Sequence, residues 1–276
     1  MSVTNCRVLI KFGGNSLNGP GDLDRFADNL LELIEKNYQP ILVHGGGPEI
    51  SKEMEDRGMI VKKVAGLRIT DQEVLSVAEE VLKRINAATV AMLRAKGINA
   101  IGASAADAGV ICKRKAPVIM IEDGIDVNVD LGHVGDVVGA SSKWIEDMLN
   151  AESVPVIYPI GADPLGNKYN VNADTMAAFL AQAGGADTMI LLTDVPGILR
   201  GGEGSSDVVH EVTFQGIDEL INQGVITGGM IPKVEACRDA IRHHVATVHM
   251  LNGKDPNSIV RKLIGMEKIG TTVTQG

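Results

Sequence analysis

A chain of 276 residues, 45% hydrophobic and 22% charged, is long enough for one large α/β domain or two closely joined lobes, with the composition of a globular protein. The formal net charge of −9 argues against broad binding to a nucleic-acid backbone, whose affinity comes from Lys and Arg displacing counterions. No run of about 18 apolar residues suggests a membrane span, and the opening MSVTNCRVLIKFGG has no apolar signal core, so a cytoplasmic location is expected. Cys6, Cys112 and Cys237 are few, scattered and odd in number, which fits reduced, structural thiols rather than a disulfide framework or a metal site.

Short β-branched runs alternate with stretches of helical period, the pattern of βαβ units around a mostly parallel sheet. Residues 8–12 read as a buried strand and 22–36 as a helix with Leu23, Phe26, Leu30, Leu33 and Ile34 on one face. Residues 41–44 form the next strand, followed by three glycines and a helix through Arg57. Residues 71–96 read as two helices or one long bent one, and 100–138 as hairpins separated by Asp-Gly and Asn-rich turns. Alternation resumes with helix 141–150, strand 154–158, helix 173–183 and strand 188–193. An exposed Gly-rich turn is expected at 197–206, then helices at 214–222 and 234–243, a strand at 247–251, a helix at 257–264 and a last strand at 269–273. A join between two lobes would fall near 161–172.

Several strand ends carry candidate chemistry. Lys11-Phe12-Gly13-Gly14 could surround an anion with backbone N–H groups and supply a cation, or be a tight βα turn with a solvated lysine. His44-Gly45-Gly46-Gly47-Pro48 opens a helix, whose N-terminus has unpaired N–H donors; His44 itself reads as a structural strand-end histidine. Neither loop carries G-x-x-x-x-G-K-[ST] or G-x-G-x-x-G, which disfavours P-loop and dinucleotide sites. In Gly228-Gly229-Met230-Ile231-Pro232-Lys233, proline marks a helix start. Lys233 at that positive end is unfavourable unless an anion binds, though a surface lysine is the plainer reading.

In Tyr169-Asn170-Val171-Asn172-Ala173-Asp174, Asp174 is either a helix cap or an acid that holds two lysines, and the asparagines offer amide donors to a carboxylate. Arg68, in Gly66-Leu67-Arg68-Ile69-Thr70-Asp71, has the planar fork for a bidentate carboxylate, or is solvent-exposed. The run from Leu192 to Leu199 could wall a nucleotide pocket or form a Pro-Gly turn.

Taken in order and spacing, KFGG, HGGGP, GLRITD, YNVNADT, LLTDVPGIL and GGMIPKVE resemble the amino-acid kinase family from about Val8 to Val273, and most closely its branch acting on N-acetyl-L-glutamate. The resemblance implies an α/β fold: a three-layer αβα sandwich around an open, mainly parallel eight-stranded sheet, as a single domain over 1–276. The N-terminal lobe, about 1–170, would bind the acyl amino acid and dimerise; the C-terminal lobe, about 171–276, would bind ATP. It implies ATP-dependent phosphorylation of the substrate's side-chain carboxylate, a step of arginine biosynthesis. Lys11 and Lys233 would neutralise the phosphoryl group in flight, with Asp174 holding both. Gly13, Gly14 and Gly46 would complete the phosphate cradle, and Gly46, Gly47, Arg68 and Asn170 would bind the acceptor. Asp194, Val195, Pro196, Gly197, Ile198, Leu199, Val225, Ile226 and Thr227 would line the ATP site, and Mg2+ would ride mainly on ATP phosphates rather than on a protein metal site.

Three stretches depart from the family pattern: Ser104-Ala105-Ala106-Asp107-Ala108, His133 and residues 259–270. The short segment before the first strand leaves no room for the helix that links arginine-inhibited relatives into hexamers, so a homodimer insensitive to free arginine is expected, with no nucleic-acid or membrane partner. A kinase of α-aminoadipate derivatives or carrier-linked glutamate would share every phosphate-handling motif. A non-catalytic binding module of this fold is the reading from another class; two lysines with Asp174 weigh against it, since buried charges without a ligand are costly.

Overall fold

Short apolar segments buried on both faces build the centre of the molecule. The structure, a computed structural model, describes residues 6–13, 17, 21–64, 66–122, 125–201, 205–255 and 257–276. Its main sheet has eight strands: β1 Cys6–Phe12, β2 Tyr38–His44, β3 Ala100–Ser104, β4 Val154–Tyr158, β5 Thr188–Thr193, β6 Glu211–Thr213, β7 Thr247–Asn252 and β8 Thr271–Thr274. They lie in the order β6-β8-β7-β5-β1-β2-β4-β3, and every pairing is parallel except that of β7 with β8. The expected mainly parallel eight-stranded sheet is therefore present.

Helices α1 Asp22–Glu35, α2 Gly47–Asp56, α3 Gln72–Ala95, α4 Lys143–Asn150, α5 Ala173–Ala183, α6 Phe214–Asn222, α7 Met230–Arg242 and α8 Ser258–Leu263 complete the main elements. Strand parity assigns them to faces. Val8, Ile10 and Phe12 pack with Phe26, Leu30 and Leu33 of α1, while Leu9 packs with Met176 and Leu180 of α5 and Val234 and Ile241 of α7. Lys11 has the parity of Leu9, so it leaves the sheet on the side covered by α5 and α7. In open parallel sheets ligands bind beyond the carboxyl ends of the strands, which is where β1, β2 and β5 deliver their loops.

Smaller sheets carry the remaining site segments. Lys168–Asn170, Ile160–Ala162, Val110–Arg114 and Gly135–Ala140 form a four-stranded sheet, and Lys63–Val64 pairs with Leu67–Arg68 in a two-stranded hairpin. A second hairpin joins Val118–Glu122 to Ile125–Val129.

Two expectations, for residues 100–104 and for the start of the helix near 234, need correction, and two open alternatives, for residues 71–96 and for Asp174, are decided. The first piece of 100–138 is not a hairpin arm but the edge strand β3, parallel to β4; its Ala-Ile-Gly-Ala-Ser sequence lacks the β-branched run that marks a strand. Residues 71–96 make one helix, started by the Asp71 carboxylate accepting from Val74 N–H at 2.9 Å. Helix α7 begins at Met230 rather than 234, because Pro232 falls in the first turn, where a missing N–H costs nothing. Finally, Asn172 caps α5, its side chain accepting from Asp174 and Thr175 N–H at 2.9 and 3.0 Å, so the Asp174 carboxylate is free for other work. Of the Gly-rich turn at 197–206, residues 202–204 lie outside the described residues.

Candidate active site

Lys11 is the penultimate residue of β1, and Gly13 follows the strand with φ 122. A Cβ at Gly13 would stand 2.7 Å from the Gly45 nitrogen, so only glycine lets the two strand-end loops approach this closely. Gly45 N–H donates to the Phe12 carbonyl at 2.9 Å, locking the HGGG loop to β1. Beneath it His44 is fully buried between the rings of Phe12 and Tyr158. Its Nδ1 bonds the Gly45 carbonyl at 2.9 Å and its Nε2 meets Asn86 Nδ2 at 3.1 Å, which fixes the neutral tautomer with the proton on Nδ1. Burial pushes its pKa down to about 4, so the ring is a structural post, as its strand-end position suggested.

Lys11 and Lys233, 222 positions apart in the chain, meet on one acid. Lys11 Nζ lies 2.7 Å from Asp174 Oδ1 and Lys233 Nζ 3.0 Å from Oδ2. Asp174 is buried, and burial alone would raise its pKa. The ammonium groups of Lys11 and Lys233 and their hydrogen bonds outweigh that and hold the carboxyl well below the usual carboxylate range. The acid is thus a permanent anion shared by two cations, leaving one positive charge in excess. Both Asp174 and Lys233 stand in the first turns of their helices, where backbone N–H groups add positive potential.

These three residues line a cavity of about 700 Å³, within the usual range for small-molecule sites of about 300–1,000 Å³. Gly13, Gly46, Gly47, Arg68 and Asn170 line it too, as do Asp194, Val195, Gly197, Ile198, Leu199, Val225 and Thr227. Pro196 is exposed and is not among the lining residues, and Ile226 is turned into the apolar core by the bend after α6, where the N–H groups of Val225 and Ile226 both bond back to the Leu220 carbonyl. Gly14 lies outside the described residues. Asn172 and Thr193, from two of the segments singled out in the sequence, also line the cavity, and so does Lys63, which sequence reasoning missed. The register Lys63↔Arg68 across the hairpin puts Lys63 beside Arg68, a pairing that Gly66 at φ 78 could have signalled as a turn.

Arg68 is buried, not exposed, and among the described residues it has no carboxylate partner. Its Nη2 donates to the Gly47 carbonyl at 2.9 Å and Ser51 Oγ at 2.7 Å, and its Nη1 to Met54 Sδ at 3.1 Å. Desolvation lowers its pKa, with no acid to oppose it. The guanidinium is therefore anchored on α2, and its outer fork is already occupied. Asn170 Nδ2 makes one long contact of 3.4 Å to Thr70 Oγ1. The departures from the family pattern sit off the cavity. His133 reaches the site only through its backbone, accepting from Asn170 N–H at 2.9 Å and donating to the Thr70 carbonyl at 2.6 Å. Ser104 and Asp107 close a local turn, Ser104 Oγ donating to Asp107 Oδ2 at 2.6 Å. Cys112 and Cys237 are buried free thiols and Cys6 is a half-buried one. No helix among the described residues is long and apolar enough to cross a membrane.

Comparison with known proteins agrees with this geometry. An acetylglutamate kinase of Methanococcus aeolicus is 37% identical over 270 residues, covering 98% of this chain and 92% of that one. That of Methanocaldococcus jannaschii is 38% identical over 269 residues, covering 97% and 90%. Among solved structures, smu.665 of Streptococcus mutans superposes with a TM-score of 0.78 at 27% identity, over 98% of this chain and 99% of that one. Giardia carbamate kinase shares the fold, with a TM-score of 0.69 at 13% identity over 99% and 100%. Residues 7–252 match the model of the amino acid kinase family, a span that contains every strand end and helix start that meets in the cavity, and the chain belongs to that family.

Proposed function

We propose that the protein transfers the γ-phosphoryl group of ATP to the side-chain carboxylate of N-acetyl-L-glutamate, forming an acyl phosphate in arginine biosynthesis. The observation that carries the reaction class is the Lys11–Asp174–Lys233 bridge at the centre of the cavity. The acceptor follows from full-length identity with relatives named acetylglutamate kinase.

In this reaction a carboxylate oxygen attacks the γ-phosphorus while the bridging P–O bond to the β-phosphate breaks and ADP leaves. The acceptor is already ionised at neutral pH, so no proton has to move and no general base is required. Catalysis is then positioning plus electrostatic stabilisation. Lys11 and Lys233 meet charge on the transferring oxygens, and Asp174 keeps both ammonium groups at one point, orienting them before substrate arrives. Gly13, Gly46 and Gly47 bring backbone N–H groups to the same place, with the α2 N-terminus behind them. The acceptor lies on the side of Gly46, Gly47, Arg68 and Asn170, in the N-terminal lobe to about 170. ATP lies along Asp194–Leu199 and Val225 with Thr227. Mg2+ fits this donor set only as a passenger of the nucleotide. Both oxygens of the buried Asp174 are taken by lysines, so the phosphates would carry the ion, which supplies further charge neutralisation when bound.

A hydroxamate trap for acyl phosphate tests the proposal, run with N-acetyl-L-glutamate, N-acetyl-aminoadipate and free glutamate. Preferential product from N-acetyl-L-glutamate is expected. Preference for the longer acid reassigns the acceptor, and no product from any of them, with ATP bound, leaves a binding module.

A further inference from the structure

Ser51 lies one helical turn after Gly47 on α2 and is not among the residues that line the cavity. Its hydroxyl donates to the Gly47 carbonyl at 3.0 Å and accepts from Arg68 Nη2 at 2.7 Å. The donated proton fixes the rotor, so a lone pair points at the guanidinium. Arg68 Nη2 also bonds the Gly47 carbonyl at 2.9 Å, closing a triangle of carbonyl, hydroxyl and guanidinium. The other tie, Nη1 to Met54 Sδ, is to a weak acceptor. With Nη2 turned to these two acceptors and Nη1 to the thioether, part of the guanidinium's donor set is committed to α2, and an incoming carboxylate meets what remains. Where those remaining donors point depends on how the guanidinium is held.

We infer that Ser51 is a positioning residue: acting through Arg68, it sets affinity for the acceptor's carboxylate without touching phosphoryl transfer. The inference rests on the reading of Arg68 as an acceptor anchor. Removing the hydroxyl leaves Nη2 on Gly47 alone and lets the guanidinium tilt away from the cavity. The helix itself tolerates the change, since alanine is the better helix former and the lost bond is a local back-bond to the i−4 carbonyl.

Steady-state kinetics of the full chain with ATP and N-acetyl-L-glutamate decide it. Ser51→Ala is expected to raise the acceptor KM about tenfold, the scale of one hydrogen bond to a charged group, with kcat and the KM for ATP within about twofold. Ser51→Thr, which keeps a hydroxyl, restores the acceptor KM. In an Arg68→Lys background Ser51→Ala adds nothing, because both changes act through one group. An unchanged acceptor KM in Ser51→Ala overturns the inference, as does a fall in kcat of the same size. Arg68→Ala separates the two ways of failing. If it leaves the acceptor KM untouched, the anchor reading falls; if it raises KM while Ser51→Ala does not, only the role of Ser51 falls.

Discussion

At the centre of the cavity two lysines share Asp174, whereas at the acceptor end Arg68 is held by a carbonyl, a hydroxyl and a thioether. The central cluster carries one positive charge in excess, but both of its cations face the same acid. It can be assembled in the empty protein, because each buried charge already has a partner. Arg68 is a buried cation whose neighbours stabilise it only as dipoles, so its full counter-charge has to arrive with a ligand. On the proposed reading the two regions do different work: preorganised charge at the centre would lower the barrier, and unmatched charge at the edge would supply affinity.

The sharpest way to break that division is at the centre. Lys11→Ala or Lys233→Ala should lower kcat by about 10²- to 10³-fold, as loss of one preorganised donor typically does, while circular dichroism stays that of the folded protein. Near-normal turnover in either variant would remove the central cluster from the chemistry. The next largest effect belongs to the other end. Arg68→Ala should raise the acceptor KM by about 10²-fold and change kcat much less, the reverse of the lysine variants. Thermal shift gives an independent reading: N-acetyl-L-glutamate should raise the Tm of the wild type and of Lys233→Ala, but not that of Arg68→Ala. An Arg68→Ala variant in which kcat falls and the acceptor KM does not would mean that the two regions are not separable. The Ser51 series then sharpens the same boundary at about a tenfold scale.

How much of this was legible beforehand follows the same geography. Elements with strong period or clear punctuation were readable to within a few residues: β4 at Val154–Tyr158, β5 at Thr188–Thr193, α5 at Ala173–Ala183 and α6 at Phe214–Asn222. β3 was not, because Ala100–Ser104 is made of small residues and is defined by its neighbour rather than by its own propensity. Within the site, the ordered motifs named Lys11, Asp174 and Lys233, although local chemistry favoured a plain cap for Asp174. The cap is Asn172, two residues earlier, and only the start of the helix decides which of the two side chains is released. The anchoring of Arg68 on α2 was not legible because its partners Ser51 and Met54 lie 17 and 14 positions away, on another element. Once α2 starts at Gly47, the i, i+4 relation puts Ser51 on the same side as the Gly47 carbonyl, which is a signal the sequence does contain. Lys63 had no motif of its own and is placed only by the hairpin register.

Stability against pH distinguishes the central acid from the histidine beneath the glycine loop. His44 and His249 are buried, with folded pKa values pushed down to about 4 from an ordinary 6.5. Between those values the unfolded chain binds protons that the folded chain refuses, so stability falls as pH drops from about 6.5 toward 4, by on the order of 3 kcal/mol for each group. Asp174 acts in a lower window. Its folded pKa is depressed, so its contribution is complete above the unfolded value near 3.8 and is lost only as pH falls below that. Urea unfolding of the wild type across pH 3 to 8 should therefore show an upper loss that His44→Gln diminishes and a lower loss that Asp174→Asn diminishes. If His44→Gln left the upper slope unchanged and Asp174→Asn removed it, the ring would not be the neutral post beneath the glycine loop. The coupling of Lys11 and Lys233 to their acid would then be weaker than their distances require.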